Sequence, residues 1–268
     1  MPELPEVETI RRDLHRGILH KTIQRIDIID GRILRQPAKD FVRRLKGRTI
    51  EDVSRRGKAL VLALDSGEHL VVQVMMTGQM VVNGQRGPHT RIIFEFSDGK
   101  KVFYNDQRVF GQLRVVKNTD EIKYFRVIGP EPFDKAFDER YISGRLKRSL
   151  RPIKNVLLDH VFVAGVGNIY ACEILFRCGI SPKRRAARIK SAEAPLLRRH
   201  TMEVLEQAIA ARGSSIRNYR DGDGNKGTFN AHIRVYGKEG QPCPGCGKPV
   251  ARIVQAGRST FYCVKCQK

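Results

Sequence analysis

Near its end the chain carries Cys243-x2-Cys246 and, sixteen residues further on, Cys263-x2-Cys266. Two CxxC pairs at this separation can surround one tetrahedral Zn²⁺ with four thiolates, each pair on a turn between short strands. Gly245 and Gly247 beside the first pair let the backbone curl so that its N–H groups point at sulfur. Two disulfides are the alternative, and an oxidising compartment would be needed to favour them. The opening Met1-Pro2-Glu3-Leu4-Pro5-Glu6 is acidic where a signal peptide is basic and then apolar. No apolar run approaches the roughly 20 residues of a membrane span. The expectation is a soluble cytoplasmic chain with reduced thiols and one structural Zn²⁺ on Cys243, Cys246, Cys263 and Cys266. A ribbon this small has little core of its own, so its metal holds the fold and does no chemistry. Cys172 and Cys178 lie in an apolar helical pattern and read as small core residues.

Charge narrows the partner. The 268 residues hold 50 Lys+Arg against 28 Asp+Glu, a formal net charge of +22. Residues 1–140 contain 26 basic and 20 acidic residues, and 141–268 contain 24 and 8, so the second half carries most of the field. Such an excess attracts polyanions. No basic amphipathic helix has lipid-seeking aromatics beside it, so nucleic acid outranks a membrane surface. With no Trp and 7% aromatics, stacking on single strands is disfavoured, and duplex binding through phosphates fits better.

The hydrophobic pattern gives the organisation. Val7, Ile10, Leu14 and Ile18 recur on one face and predict a helix over 5–19. The period then changes to two. Short β-branched or aromatic runs at 22–29, 59–64, 69–74, 91–96, 101–104 and 112–116 read as strands. Asp65-Ser66-Gly67 and Ser97-Asp98-Gly99 mark hairpins. Six or more strands in about a hundred residues suggest a sandwich or barrel flanked by the first helix. The pattern breaks near Gly129-Pro130-Glu131-Pro132, and helical stretches follow at 139–148, 152–158, 169–177 and 192–212. A polar, glycine-rich segment at 213–227 precedes the ribbon, whose strand-like pieces are 232–236, 250–254 and 260–262. The expected architecture is an α+β chain in three segments: an N-terminal β-sandwich flanked by helices (1–131), a helical domain (132–228) and the zinc ribbon (229–268).

Pro2 directly follows Met1, and a small second residue favours removal of the initiator. The freed secondary amine would have a pKa near ~8, against ~10.4 for lysine, so part of it is neutral at pH 7. A neutral amine can attack a sugar C1′ and collapse to an iminium, an electron sink. Glu3 and Glu6 lie beside it. From spacing alone, Glu3, Glu6 and Glu8 are explained by the positive end of a helix dipole.

Pro2-Glu3-Leu4-Pro5-Glu6-Val7-Glu8-Thr9 resembles the opening of the bacterial formamidopyrimidine-DNA glycosylases. The resemblance continues through Arg56-Gly57-Lys58, Met76-Thr77-Gly78, Asp106-Gln107-Arg108-Val109-Phe110-Gly111, Gly165-Val166-Gly167-Asn168-Ile169-Tyr170 and the ribbon's Gly257-Arg258-Ser259-Thr260-Phe261-Tyr262. Five such motifs in order, ahead of a zinc ribbon, span the whole chain. The resemblance implies a bifunctional glycosylase and AP lyase. It would excise oxidised purines (8-oxoguanine and formamidopyrimidines) from damaged double-stranded DNA, acting as a monomer in a cleft between domains. It makes Pro2 the nucleophile, Glu3 the general acid, Glu6 a supporting carboxylate and Lys58 a contact at the damaged site. Met76, Arg108 and Phe110 correspond to residues that fill the hole left by a flipped base. Lys154, Asn168 and Arg258 correspond to phosphate ligands, and the helical domain to a helix–two-turn–helix. His89 and Arg91 join the DNA contacts.

The chain departs from the family at several positions. Gln73 and Arg91 stand where His is common, Val109 where a basic residue is usual, and Cys172 where Ser is common. Arg217 and Tyr219 are candidates for lesion recognition. Two other readings are an endonuclease VIII-like enzyme for oxidised pyrimidines and a non-catalytic zinc-ribbon DNA-binding protein. The second leaves the Pro2-Glu3 opening unexplained.

Overall fold

Helix α1 (Leu4–Ile18) opens the chain in the computed structural model, which describes residues 2–215 and 219–268. Its start is fixed locally. Glu3 is the N-cap, and Glu3 and Glu6 exchange hydrogen bonds with each other's backbone N–H in a capping box. Pro5, in the first turn, lacks an N–H that would have had no helical partner. Val7, Ile10, Leu14 and Ile18 are buried, as the 3.6-residue period requires. Burial alone would raise Glu8, but Arg11, Arg12 and Arg55 draw its carboxyl below the usual range and tie α1 to the next layer.

After α1 come β1 (Ile23–Ile28), α2 (Ala38–Leu45), β2 (Ile50–Arg56), β3 (Ala59–Leu64), β4 (His69–Gln73), β5 (Gly78–Val82), β6 (Thr90–Phe96), β7 (Lys101–Asp106) and β8 (Gln112–Val116). They form two four-stranded antiparallel sheets, ordered β1-β6-β7-β5 and β2-β3-β4-β8. The predicted sandwich is present, with one core shared by both sheets and α1. β6 alternates buried and half-exposed residues along its length, the period of a strand with one solvated face. β3 is buried on both faces because α3 (Lys123–Val127) sets Tyr124 and Phe125 against Val61 and Val71.

α2, β2 and β5 were not legible. β2 is Ile-Glu-Asp-Val-Ser-Arg-Arg, whose two buried residues are three apart and carry no period of two, because the register shifts between Ile50 and Asp52.

The second half is built from α4 (Glu139–Lys147), α5 (Ile153–Leu157), α6 (Asn168–Arg177), α7 (Ala194–Ala210) and the hairpin β9 (Ala251–Gln255) and β10 (Arg258–Tyr262). Residues 232–236, expected as a strand, form none. Their β-branched and aromatic pattern is overridden by Glu173 on α6. This carboxylate is 1% exposed and accepts N–H bonds from Arg234 (2.8 Å), Val235 (3.0 Å) and Tyr236 (2.9 Å). Such a buried acceptor satisfies three backbone donors that a strand ladder would otherwise have to take.

Two compact units result: Met1–Arg126 with Ile209–Asn230, and Val127–Ala208 with Ala231–Lys268. They do not coincide with the three consecutive segments read from the sequence. The glycine-rich stretch returns to the first unit, and the ribbon shares a unit with α4, α5 and α6. Among the described residues no helix is long and apolar enough to cross a membrane.

Candidate active site

In the first unit, Pro2 is buried and sits immediately before the cap of α1. Glu3 is 4% exposed and Glu6 2% exposed. The two Glu6 oxygens hold different segments: Oε2 accepts from the Glu3 N–H at 2.8 Å, and Oε1 from the Ser214 N–H at 2.7 Å. The Tyr219 hydroxyl donates to the Glu6 carbonyl at 3.3 Å, and burial together with the nearby Glu6 charge pushes that hydroxyl above its ordinary value. A carboxylate so bridged fixes the backbone next to Pro2. Lys58 lies at the β2–β3 turn, where Gly57 has φ +60° and the Lys58 N–H donates to the Tyr124 hydroxyl at 3.1 Å. Arg55, three residues before it, pairs with Glu8 and brings this strand end beside α1.

Met76, Arg108 and Phe110 come together. An Arg108 guanidinium nitrogen is 3.3 Å from the Met76 sulfur, and its carbon stands 4.5 Å from the Phe110 ring centroid, a cation–π distance. Phe110 is 46% exposed, which rules out core packing as its role. The two loops that carry these side chains hang on Asp106, a residue the sequence motif contained but did not single out. Its carboxylate is fully buried and accepts from the Thr77 hydroxyl, the Arg108 N–H (3.1 Å) and the Gly111 N–H (2.7 Å). Gly111 is required by close approach, since a Cβ there would lie 1.7 Å from the buried Tyr104 hydroxyl oxygen. Asp106→Asn puts an NH₂ where an acceptor faces these donors. It is expected to cost about 1–3 kcal/mol of stability, read as a lowered denaturation midpoint. An unchanged midpoint would remove Asp106 as the hub.

The remaining positions of this unit are less open. His89 is exposed, and its carbonyl accepts from the Asp106 N–H at 2.8 Å. Arg91 spends its guanidinium internally, on the Asp106 carbonyl (2.8 Å) and Asp30 (3.6 Å). Val109, with φ +55°, packs against the main core, which accounts for an apolar residue at that position. Arg217 lies outside the described residues, as does Met1.

In the second unit, Lys154 and Asn168 converge on one strand. Lys154 is fully buried and donates to the Thr260 hydroxyl (2.6 Å) and the Ser259 carbonyl (3.2 Å), while Asn168 Nδ2 donates to the same carbonyl (3.0 Å). Both therefore brace β10 beside Arg258, which is exposed.

The four ribbon cysteines are free thiols whose ligand atoms all lie within 4.8 Å of one another. Cys243 and Cys266 sulfurs are 3.8 Å apart, and those of Cys246 and Cys263 3.4 Å. A tetrahedral zinc with bonds of about 2.3 Å needs sulfur–sulfur edges of about 3.8 Å, and a disulfide needs about 2.05 Å. The Gly245 and Cys266 N–H groups point at the sulfurs of Cys243 and Cys263. Burial would raise the Cys263 thiol, but the Cys266 N–H and the Cys246 thiol bring it below its ordinary value, to about 7. The donor set fits one structural Zn²⁺. Cys172 packs in the apolar cluster around this site, whereas Cys178 is half-buried and pushed up to about 12, chiefly by burial.

Comparison with known proteins decides the family. Residues 1–113 match the formamidopyrimidine-DNA glycosylase N-terminal domain, 128–220 its H2TH domain, and 240–268 a zinc finger found in FPG and IleRS. The formamidopyrimidine-DNA glycosylase of Desulforamulus reducens is 40% identical over 100% of this chain and 99% of its own length. The chain belongs to the formamidopyrimidine-DNA glycosylase family. It is a DNA glycosylase of base excision repair with a zinc ribbon. The crystal structure of the MutM (Fpg) protein of Thermus thermophilus superposes with a TM-score of 0.91 at 42% identity, covering 99% of this chain and 98% of that one. The Lactococcus lactis Fpg, in complex with DNA containing an abasic site, gives 0.93 at 34% identity, covering 99% of each chain. In this glycosylase the links that sequence reading missed are Asp106, Thr77 and Ser214. Each acts through a contact with a distant residue, and no local pattern marks it.

Proposed function

We propose that this glycosylase excises oxidised purines, 8-oxoguanine and formamidopyrimidines, from duplex DNA and then cuts the strand as an AP lyase. The Glu3–Glu6 arrangement around Pro2 is the observation that carries the reading. Loss of Met1 frees the Pro2 nitrogen, which attacks C1′ as the N-glycosidic bond breaks and its electron pair leaves with the base. The Pro2 nitrogen then gives up its own proton, Glu3 supplies one to the sugar ring oxygen, and the ring opens as the nitrogen lone pair forms an iminium joining Pro2 to the sugar. The iminium makes the C2′ proton acidic. Its removal expels the 3′ phosphate, and a second elimination expels the 5′ phosphate. Glu6 keeps Glu3 in place through the Glu3 N–H.

Reaching the base requires flipping it out of the stack. Met76, Arg108 and Phe110 are suited to fill the gap: Phe as an apolar wedge, Met as an adaptable one, and Arg as a donor to the opposite base. Arg258 grips phosphate from a strand that Lys154 and Asn168 brace, so these two act on DNA through β10. His89 adds an exposed contact, and Arg91 supports the Asp106 hub. Lys58 contacts the damaged site. The abasic-site DNA held by the Lactococcus lactis relative supports a damaged duplex as the partner. The protein acts as a cytoplasmic, nucleoid-associated monomer.

Borohydride added during reaction with an 8-oxoguanine·cytosine duplex is expected to trap a covalent protein–DNA adduct. The same assay on a thymine glycol duplex should give far less. A reversed preference would point to an oxidised-pyrimidine enzyme, and binding without an adduct to a non-catalytic protein.

A further inference from the structure

Arg212 follows α7 with φ +57°, in the left-handed region that residues with a Cβ seldom adopt. Its guanidinium explains what holds it there. Nη2 lies 2.7 Å from Asp13, 2.6 Å from Asp221 and 3.3 Å from Asp223, and Nε donates to Asp221 at 2.7 Å. The side chains of Asp13 and Asp221 have no exposure at all. Three carboxylates this close could be mistaken for a cation site, but the guanidinium already supplies the positive charge among them, with Arg16 closing the rim onto Asp13 and Asp223. Two buried carboxylates without that charge would be strongly unfavourable, so the segment would open before they stayed buried.

The backbone geometry shows how tightly this segment is pressed to α1. A Cβ on Gly222 would lie 2.4 Å from the Asp13 Cβ, and the Gly222 N–H donates to Asp13 at 2.9 Å. A Cβ on Gly213 would lie 2.9 Å from the Glu6 carboxylate. Arg212 is thus two residues from Ser214, whose N–H holds Glu6 Oε1, while Glu6 Oε2 holds the Glu3 N–H. An unbroken line of contacts runs from the Arg212 cluster to the residue beside Pro2.

We propose that Arg212 is a positioning residue of the glycosylase reaction, clamping residues 213–215 and 219–225 to α1 through Asp13 and Asp221 and thereby fixing the Glu6 carboxylate that orients Glu3. This rests on the roles given above to Pro2 and Glu3. The residue touches no reacting group, so its effect belongs in the rate of the bound complex and not in affinity.

Arg212→Gly tests it cleanly, because glycine adopts φ +57° without strain and removes only the charge and its bonds. Single-turnover base release from an 8-oxoguanine·cytosine duplex is expected to slow about tenfold, with duplex Kd unchanged within about twofold. Arg212→Lys should recover part of the rate. If Arg212 acts through Glu6, adding Arg212→Gly to Glu6→Gln should slow the reaction by less than about a further twofold. Fully multiplicative losses, an unchanged rate in Arg212→Gly, or a loss seen only as weaker binding would each overturn the proposal.

Hydrogen exchange separates its failure from that of the underlying function. The Ser214 and Gly222 amides should exchange faster in Arg212→Gly even if the wild-type protein releases no base from this duplex. Unchanged exchange would overturn the clamp itself.

Discussion

A chain that keeps Met1 should form no borohydride-trapped adduct and release base at least about a hundredfold more slowly than the processed protein. With Met1 attached, the Pro2 nitrogen is part of a planar amide whose lone pair is delocalised, and it cannot attack C1′. Duplex affinity should persist, because the groups assigned to phosphate and to the wedge are elsewhere in the chain. Pro2→Gly is the milder form of the same test. It still presents an amine, but a primary one on a freer backbone, so excision should weaken while binding remains. Rate and pH are linked through the same nitrogen. The attacking amine must be neutral, so the rate should rise as pH approaches about 8. Full activity in the Met1-retaining protein would disprove the nucleophile assignment.

Removing zinc should produce the second large effect, and of the opposite kind. The ribbon's apolar cluster gathers Val235, Val250 and Phe261 around the cysteines, with Cys172 of α6 against them. That is too little surface to replace a metal that in zinc-finger peptides contributes about 10–16 kcal/mol. Cys263→Ser, or a strong chelator, is expected to abolish zinc retention and unfold 240–268. Duplex Kd should weaken at least about tenfold, because β10 no longer presents Arg258. The remedy distinguishes the cause: saturating DNA should restore much of the chemical step, which the proposed mechanism assigns to Pro2 and Glu3 in the other unit. An unaltered binding curve after zinc loss would contradict a DNA role for the ribbon.

Much of the chain was legible because its signals are local. The α1 period, the Gly67 and Gly99 hairpin turns and the two CxxC pairs each declare themselves within a few residues. The cysteine spacing pointed to four sulfur donors around one tetrahedral metal, and the four free thiols within 4.8 Å of one another agree with it. Tertiary contacts decided the rest. Glu173 turned an apparent strand at 232–236 into a loop by capturing three backbone donors that lie about sixty residues away from it. Asp106 became the hub of two loops, Lys154 a buried donor to β10, and Gly222 of the glycine-rich stretch a partner of α1. A buried carboxylate or ammonium must find its partners wherever the fold brings them, and those partners need not be near in sequence. The pattern of residues can therefore state which chemistry is present, but only the folded chain assigns each charged group its partner.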